Sequence, residues 1–317
     1  MSSKIPKRLP KLAGGGLATA WLLLDGTAAL AQANPKFEYV KKADADKAQW
    51  KASASAGALL ATGNANSFTV NGSGSIARVD PRNKLALDVS GAFGQSTTTS
   101  FVDKNGDGLL GGEDELGNET KTTTQLWSVK LRYDRFFSQN NVGYLSTMVG
   151  SNELAGKRLL GNVQVGYARQ LYHSDRNELF LEAGYDFTYE FYKEGSDPDF
   201  LPIHSLRLFF GHNLKLTPDT GLFTGIEGLF NVAPINPPGF DKGTVGPFED
   251  TRINFKTALN TKLYKSLSFR FSFTALFDNI PAPRPLPADL KLVDPNHPPL
   301  AQKLDTLSEA ALVVTFL

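Results

Sequence analysis

The chain has 317 residues, with 33 Lys and Arg against 32 Asp and Glu, a formal net charge of +1. That balance lacks the basic excess of nucleic-acid binders, so no nucleic acid is expected as a partner. There is no cysteine, which removes disulfides, thiolate metal sites and cysteine nucleophiles. Phe (22) and Gly (29) are plentiful and Met (2) is scarce, a balance typical of strand-rich chains.

The first segment reads as an export address. Lys4, Lys7, Arg8 and Lys11 form a positive start, residues 17–24 are apolar, and Ala29-Leu30-Ala31 gives a small-x-small cleavage pattern. The apolar run falls short of the roughly 20 residues of a spanning helix, and Asp25 interrupts it. A signal peptide over residues 1–31 is therefore expected. Residues 32–49 are polar, with Lys41, Lys42, Asp44, Asp46 and Lys47, and form a short periplasmic leader.

From Trp50 onward the sequence alternates with a period of two, the signature of strands with one apolar and one polar face. Leu179, Leu181, Ala183, Tyr185, Phe187, Tyr189 and Phe191 share a face, against Glu182, Gly184, Asp186, Thr188 and Glu190. Ile253, Phe255, Leu259 and Leu263 oppose Arg252, Asn254, Lys256, Asn260 and Lys262. Leu267, Phe269, Phe271, Phe273 and Phe277 oppose Ser268, Arg270, Ser272, Thr274 and Asp278. About twelve such segments begin near Trp50, Ser67, Lys84, Thr122, Val142, Leu159, Glu178, Pro202, Gly221, Asp250, Leu267 and Leu304. They exceed the roughly 5 or 6 residues of soluble strands and suit a tilted spanning strand of roughly 9 to 11 residues with interface ends.

The connections alternate in length. Those at 80–83, 173–177, 217–220 and 264–266 are short, and those at 95–121, 193–201, 233–249 and 279–303 are long. Short periplasmic turns facing long outer loops produce that asymmetry. The first and fifth connections break the rule, being short on the outer side. The fold class expected is all-β: a closed antiparallel transmembrane β-barrel of about twelve strands over residues 50–317, in the outer membrane of a Gram-negative cell. Closure follows because every backbone group in hydrocarbon needs a partner. A soluble calcium-binding β-sandwich is the rival, since its strands also alternate.

Many outer-membrane barrels end in an aromatic residue read by the barrel-assembly machinery; here Phe316 is penultimate and Leu317 last. Thr62-Gly63-Asn64, Arg132-Tyr133-Asp134, Phe136-Phe137-Ser138, the 161–167 strand and Phe316 together resemble the salt-induced outer-membrane protein (YdiY-like) family, a family of unknown function. The resemblance covers roughly Trp50 to the C terminus. It implies an outer-membrane barrel with a stress-related role and carries over no catalytic residue.

One motif points to a metal. Asp103, Asn105, Asp107, Gly108 and Asp114 follow the calcium-loop spacing D-x-N-x-D-G-x5-acid. Calcium takes six to eight oxygens, which alternate carboxylates on a tight turn can supply. Asp103, Asn105, Asp107 and Asp114 would bind through side chains and Leu109 through its carbonyl, so Ca2+ in the long outer loop 95–121 is the expected cofactor. The alternative is an acidic, Gly-rich loop.

No catalytic residue is expected. A lipid-acting enzyme needs His and Ser on one face, and the neighbours His204-Ser205 and His173-Ser174 point to opposite faces of a regular strand. The inward charges are more telling. Acids at Glu182, Asp186, Glu190, Glu227, Asp278 and Glu309 meet bases at Lys130, Arg132, Arg207, Lys215, Arg252, Lys256, Lys262 and Arg270. Folding the hairpins about their loop centres pairs Asp186 with Arg207 and Arg252 with Asp278. These charges either knit a filled lumen or line a narrow pore. The function expected is a passive pore for small solutes or a structural barrel, with an outer-membrane enzyme acting on lipid as the alternative. Its partners would be outer-membrane lipid and the assembly machinery.

Overall fold

The computed structural model describes residues 47–61, 65–102, 115–152, 156–192, 199–237, 243–282, 300 and 302–316. Twelve strands run in chain order: β1 (Gln49–Ala61), β2 (Ala65–Val79), β3 (Asn83–Val102), β4 (Glu115–Phe136), β5 (Asn141–Asn152), β6 (Lys157–His173), β7 (Asn177–Tyr192), β8 (Phe200–Lys215), β9 (Thr220–Asn231), β10 (Thr251–Tyr264), β11 (Leu267–Asp278) and β12 (Leu304–Thr315). Each pairs antiparallel with its chain neighbours, and β1 closes on β12. The ring is single, so the two-sheet sandwich is excluded.

The alternation seen in the sequence sorts side chains as expected. Leu181, Tyr185, Leu208, Phe210, Ile226 and Phe271 point outward and are exposed, while Glu182, Asp186, Arg207 and Asn254 point inward and are buried. This inverts the ordering of a water-soluble protein. Leaving so much apolar surface in water would cost about 25 cal/mol per Å², and an apolar medium around the barrel removes that cost.

β3 and β4 are the longest strands, at 20 and 22 residues. They run far into the stretch read as the loop 95–121, and the connection narrows to 103–114. The reason is local: both stretches are rich in threonine, which suits strands, and Thr97 lies opposite Thr120. The Thr97 and Thr120 hydroxyls hydrogen-bond at 2.8 Å.

One end of the barrel carries the turns, and they repeat. Asp80, Ser138, Ser174 and Thr217 each donate a backbone N–H to the carbonyl three residues on, at 2.8, 3.3, 2.8 and 3.1 Å. The same four side chains cap the turn, accepting from Asn83 N–H, Asn141 Nδ2, Asn177 N–H and Asp219 N–H respectively. The carbonyl of Arg82, Asn140, Arg176, Asp219 and Ser266 then accepts the N–H of Phe136, Gln170, Lys215, Lys262 and Thr315, each at 2.8 or 2.9 Å, so every hairpin is tied to the next. Just inside, three asparagines that open strands receive outward aromatic or His groups: Tyr133 Oη donates to Asn83 at 2.7 Å, Tyr167 Oη to Asn141, and His212 Nε2 to Asn177 at 3.2 Å. The Asp80 carboxyl is held below its ordinary 3.8, first by the Arg82 N–H. A depressed folded value stabilises the turn above the ordinary value, and the help is lost as pH falls through the depressed one.

The opposite end carries the longer connections. Residues 232–237 and 243–250 fold back over the mouth there. Ile235 and Val245 form an antiparallel bridge and pack with Tyr192, Leu201, Ile203 and Ala282. Asn231 pins this segment, donating to Gly246 O at 2.8 Å and accepting the Asp250 N–H at 2.9 Å. Phe248 lies in the left-handed region (φ 65), a strained conformation for a bulky residue.

Candidate functional site in the lumen

The inward positions of β4 to β11 build two charged layers. In the layer nearer the turns, Glu182 of β7 sits between two guanidiniums. Arg132 Nη2 of β4 lies 2.8 Å from its Oε1, and Arg207 Nη1 of β8 lies 2.7 Å from its Oε2. Arg132 Nε also reaches Asp134 at 2.8 Å, and Arg207 Nε reaches Glu227 at 2.5 Å. Asn254 Nδ2 continues the chain to Glu227 at 2.8 Å.

Tyr144 of β5 completes this layer. Arg207 donates to its hydroxyl at 2.8 Å, and the Arg132 guanidinium lies 4.5 Å from its ring centroid. The phenol lies across Gly166 and Gly184; a Cβ on Gly184 would stand 2.6 Å from Tyr144 Oη. The two glycines therefore give the ring its room, and Arg132 reaches past β5 and β6 to β7.

The second layer lies nearer the mouth and is looser. Lys157 Nζ of β6 is 2.6 Å from Glu190 but 3.8 Å from Asp278 of β11. Arg252 is 3.9 Å from Glu190 and 3.8 Å from Asp250, with a hydrogen bond to Ser205 Oγ at 3.1 Å. Asp250 Oδ1 and Arg252 Nε here are buried polar atoms without a hydrogen bond, as are Asp134 Oδ2 and Asn254 Oδ1 in the first layer. Ion pairs at 3.8 and 3.9 Å, longer than any in the first layer, hold this layer less firmly.

The two pairings expected from hairpin centres fare differently. Arg252 and Asp278 are directly opposite in register, but their short contacts go to Ser205, Glu190 and Lys157. Asp186 lies opposite Ser205, and Arg207 lies opposite Gly184. Asp186 instead accepts from Gln164 at 2.8 Å and Thr188 at 2.6 Å.

A family model described as "Protein of unknown function, DUF481" matches residues 54–236, more than half of the chain. The chain belongs to the DUF481 family. No curated protein matches its sequence. Among solved structures, the COG4313 outer membrane channel from Pseudomonas putida F1 is 13% identical, covering 89% of this chain and 100% of that one, with a TM-score of 0.43. The translocator domain of autotransporter NalP from Neisseria meningitidis is 11% identical, covering 84% and 87%, with a TM-score of 0.38. The outer membrane channel DcaP of Acinetobacter baumannii is 11% identical, covering 87% and 98%, with a TM-score of 0.31. Likeness at this level carries no argument about function.

In this DUF481 chain the wall opposite the charges is different. Ser53, Ser55 and Gly57 of β1 and Asn71, Ser73 and Ser75 of β2 face inward and are half-buried. Ser55 and Ser73 hydroxyls meet at 2.6 Å. Short side chains on one wall leave space that long charged ones fill on the other. At the turn end a small recess reaches Glu182 from between Phe136, Asn140, Val142 and Phe180.

The calcium-motif residues Asp103, Asn105, Asp107, Leu109 and Asp114 lie outside the described residues, as does His297. His204 faces outward beside Phe187, ring centroids 4.7 Å apart, and hydrogen-bonds Tyr185, while Ser205 faces the lumen. His173 is exposed at a turn, 3.2 Å from Glu178. Sequence reasoning missed Tyr144. Its signal was present: one inward aromatic against Gly166 and Gly184 on neighbouring strands.

Proposed function

We propose that this chain is exported by a signal peptide over residues 1–31 and spans a bacterial outer membrane as a narrow conduit for small polar solutes. The observation that supports passage is the asymmetric lumen: a filled, charged half faces a half-buried wall of Ser, Gly and Asn on β1 and β2. The exposed apolar outer face supports residence in lipid. The resemblance to salt-induced outer-membrane proteins, the finer placement within the family, supports the same location. The assembly machinery would then insert the chain, with the exposed Phe316 beside the end of β12 as its mark.

In a planar bilayer the purified protein should give small, steady single-channel currents, well below those of an open porin. Ser55→Trp or Ser73→Trp should cut them several-fold. Unchanged currents in both variants would remove the route along β1 and β2. A structural barrel is the second reading, favoured by the contact of Leu126 with Leu276 from opposite walls, and a silent bilayer would decide for it.

The same reading orients the barrel. The end with the long connections faces outward, so an epitope tag near Gly106 or Pro285 should be reachable on intact cells. Tags that respond only after permeabilisation would reverse the orientation.

The 103–114 loop is assigned as an extracellular calcium site with Asp103, Asn105, Asp107, Leu109 and Asp114 as ligands. Sites of that class bind at about 10⁻⁴ to 10⁻³ M, and binding only the folded loop protects it by mass action. Limited proteolysis between Val102 and Glu115 should therefore appear when calcium is chelated, and Asp103→Ala or Asp107→Ala should make cleavage calcium-independent. Calorimetry that shows no binding at several millimolar would end the assignment.

A further inference from the structure

One of the twelve seams is short. β1 pairs with β2 over thirteen positions and β12 with β11 over eleven, yet β1 and β12 pair over four, from Ser53–Thr315 to Ala56–Leu312. Beyond that point β1 continues through residues 57–61, and β12 contributes residues 304–311, without cross-pairing between them. This stretch lies in the half of the barrel toward the mouth. In hydrocarbon, strand backbone without a partner is costly, so a barrel built only to seal would extend this pairing.

Two features sit directly behind the gap. Leu126 of β4 and Leu276 of β11 are buried together, with Ala92 of β3 and Leu307 of β12 packed against them. Leu307 belongs to the stretch of β12 that lacks a β1 partner. Other apolar clusters also face inward, but this one reaches the seam through Leu307, and an apolar surface there is satisfied better by an apolar molecule than by water. The second feature is a side-chain latch. Asn71 Nδ2 of β2 donates to Glu309 Oε1 of β12 at 2.5 Å, passing over β1 at Gly57. A Cβ on Gly57 would stand 2.6 Å from the Ala310 carbonyl, so no other residue leaves room for that bridge. Among the described residues, the strands thus meet here through this side-chain bridge and the packing of the Ala310 carbonyl on Gly57, where a backbone ladder would be expected.

We propose that the unpaired stretch of the β1–β12 seam is a lateral exit, and that Leu126, Leu276, Leu307 and Ala92 form the binding site of a small apolar or amphipathic molecule crossing between lumen and bilayer. This rests on the reading that the barrel passes solutes, and it adds a substrate class and a second route. A polar solute gains nothing by leaving sideways into lipid. An apolar one does, and the gap opens at its binding site. The Asn71–Glu309 bond breaks and reforms as the molecule passes.

The absence of cysteine makes the test clean. Continuing the β1–β12 register places Ala58 opposite Ala310. Ala58→Cys with Ala310→Cys should close the seam on oxidation, checked by a gel shift. The readouts are entry of the apolar fluorescent probe phenylnaphthylamine into expressing cells, and conductance of the purified protein in a planar bilayer. The wild-type chain should speed probe entry several-fold over cells lacking it. The oxidised pair should bring entry back to that baseline, reduction should restore it, and conductance should stay within twofold throughout. Leu126→Asn with Leu276→Asn should also abolish probe entry while the barrel stays heat-resistant in detergent. Probe entry at the wild-type rate through the oxidised pair, or through the Asn variant, would overturn the lateral exit. A wild-type chain that conducts but does not raise probe entry above that of cells lacking it would overturn the lateral exit while leaving the polar conduit intact. Probe entry without conductance would do the reverse.

Discussion

Glu182→Ala should lower the stability of the folded barrel by about 3 to 5 kcal/mol, the usual result of leaving a buried charge without its partner. The carboxylate accepts from Arg132 and Arg207, whose side chains are 3% and 2% exposed. Removing it leaves two guanidiniums facing each other across Tyr144, with Asp134 and Glu227 holding only their far sides. Glu182→Gln keeps the shape and one acceptor oxygen but turns an amide N–H toward the other guanidinium, so it should fall between wild type and Glu182→Ala. The exposed Glu119–Lys121 pair is the control: at 2.8 Å it is as short as the Arg132 contact, but both side chains are more than half exposed, and such pairs contribute little. Urea unfolding of the refolded protein in detergent would read all three. A Glu182→Ala midpoint no lower than that of Glu119→Ala would mean the layer does not hold the walls together.

The contrast between those two pairs shows where sequence reading ends. Alternation places Glu182, Arg132 and Arg207 on the inner face, and the structure agrees, because a period of two survives any register shift by two. The partner is another matter. Arg207 was expected against Asp186 because the loop between β7 and β8 was folded about its centre; the strands are offset by two residues, and Gly184 takes that place. The turn between β10 and β11 is residues 265–266, which alone would set Arg252 against Asn279; a register shift between Lys262 and Tyr264 brings Arg252 to the expected Asp278. Even there the ions prefer partners from other strands, since Lys157 approaches Asp278 from β6 across the lumen. Contacts of that kind depend on closure and stagger of the whole ring, which no local pattern encodes. The repeated cap at Asp80, Ser138, Ser174 and Thr217, by contrast, stands plainly in the sequence as a small oxygen-bearing residue three before Asn or Thr.

Phe271→Arg should destabilise the barrel by about 2 to 4 kcal/mol in a lipid bilayer, the cost of an arginine near the midplane. Phe271 lies near the middle of β11, points outward at 48% exposure and stands between Leu259 of β10 and Ala310 of β12 in register. None of these neighbours offers a carboxylate, so a guanidinium there must reach an interface or draw water inward. The comparison must be a lumen position with room. Ser272 and Asn254 are inward but each 2% exposed, and an arginine at either would add steric strain that imitates a lipid penalty. Ser73 is inward, half-buried and flanked by Ser55 and Ser90, so Ser73→Arg tests the solvation of the face without overpacking it. Folding titrations into vesicles should show Phe271→Arg losing several times more stability than Ser73→Arg. In a detergent micelle, which deforms around a charge, the gap should shrink. Equal losses in vesicles would mean that the outer face of β11 does not meet hydrocarbon, and that the apolar surface of this barrel is covered by something other than lipid.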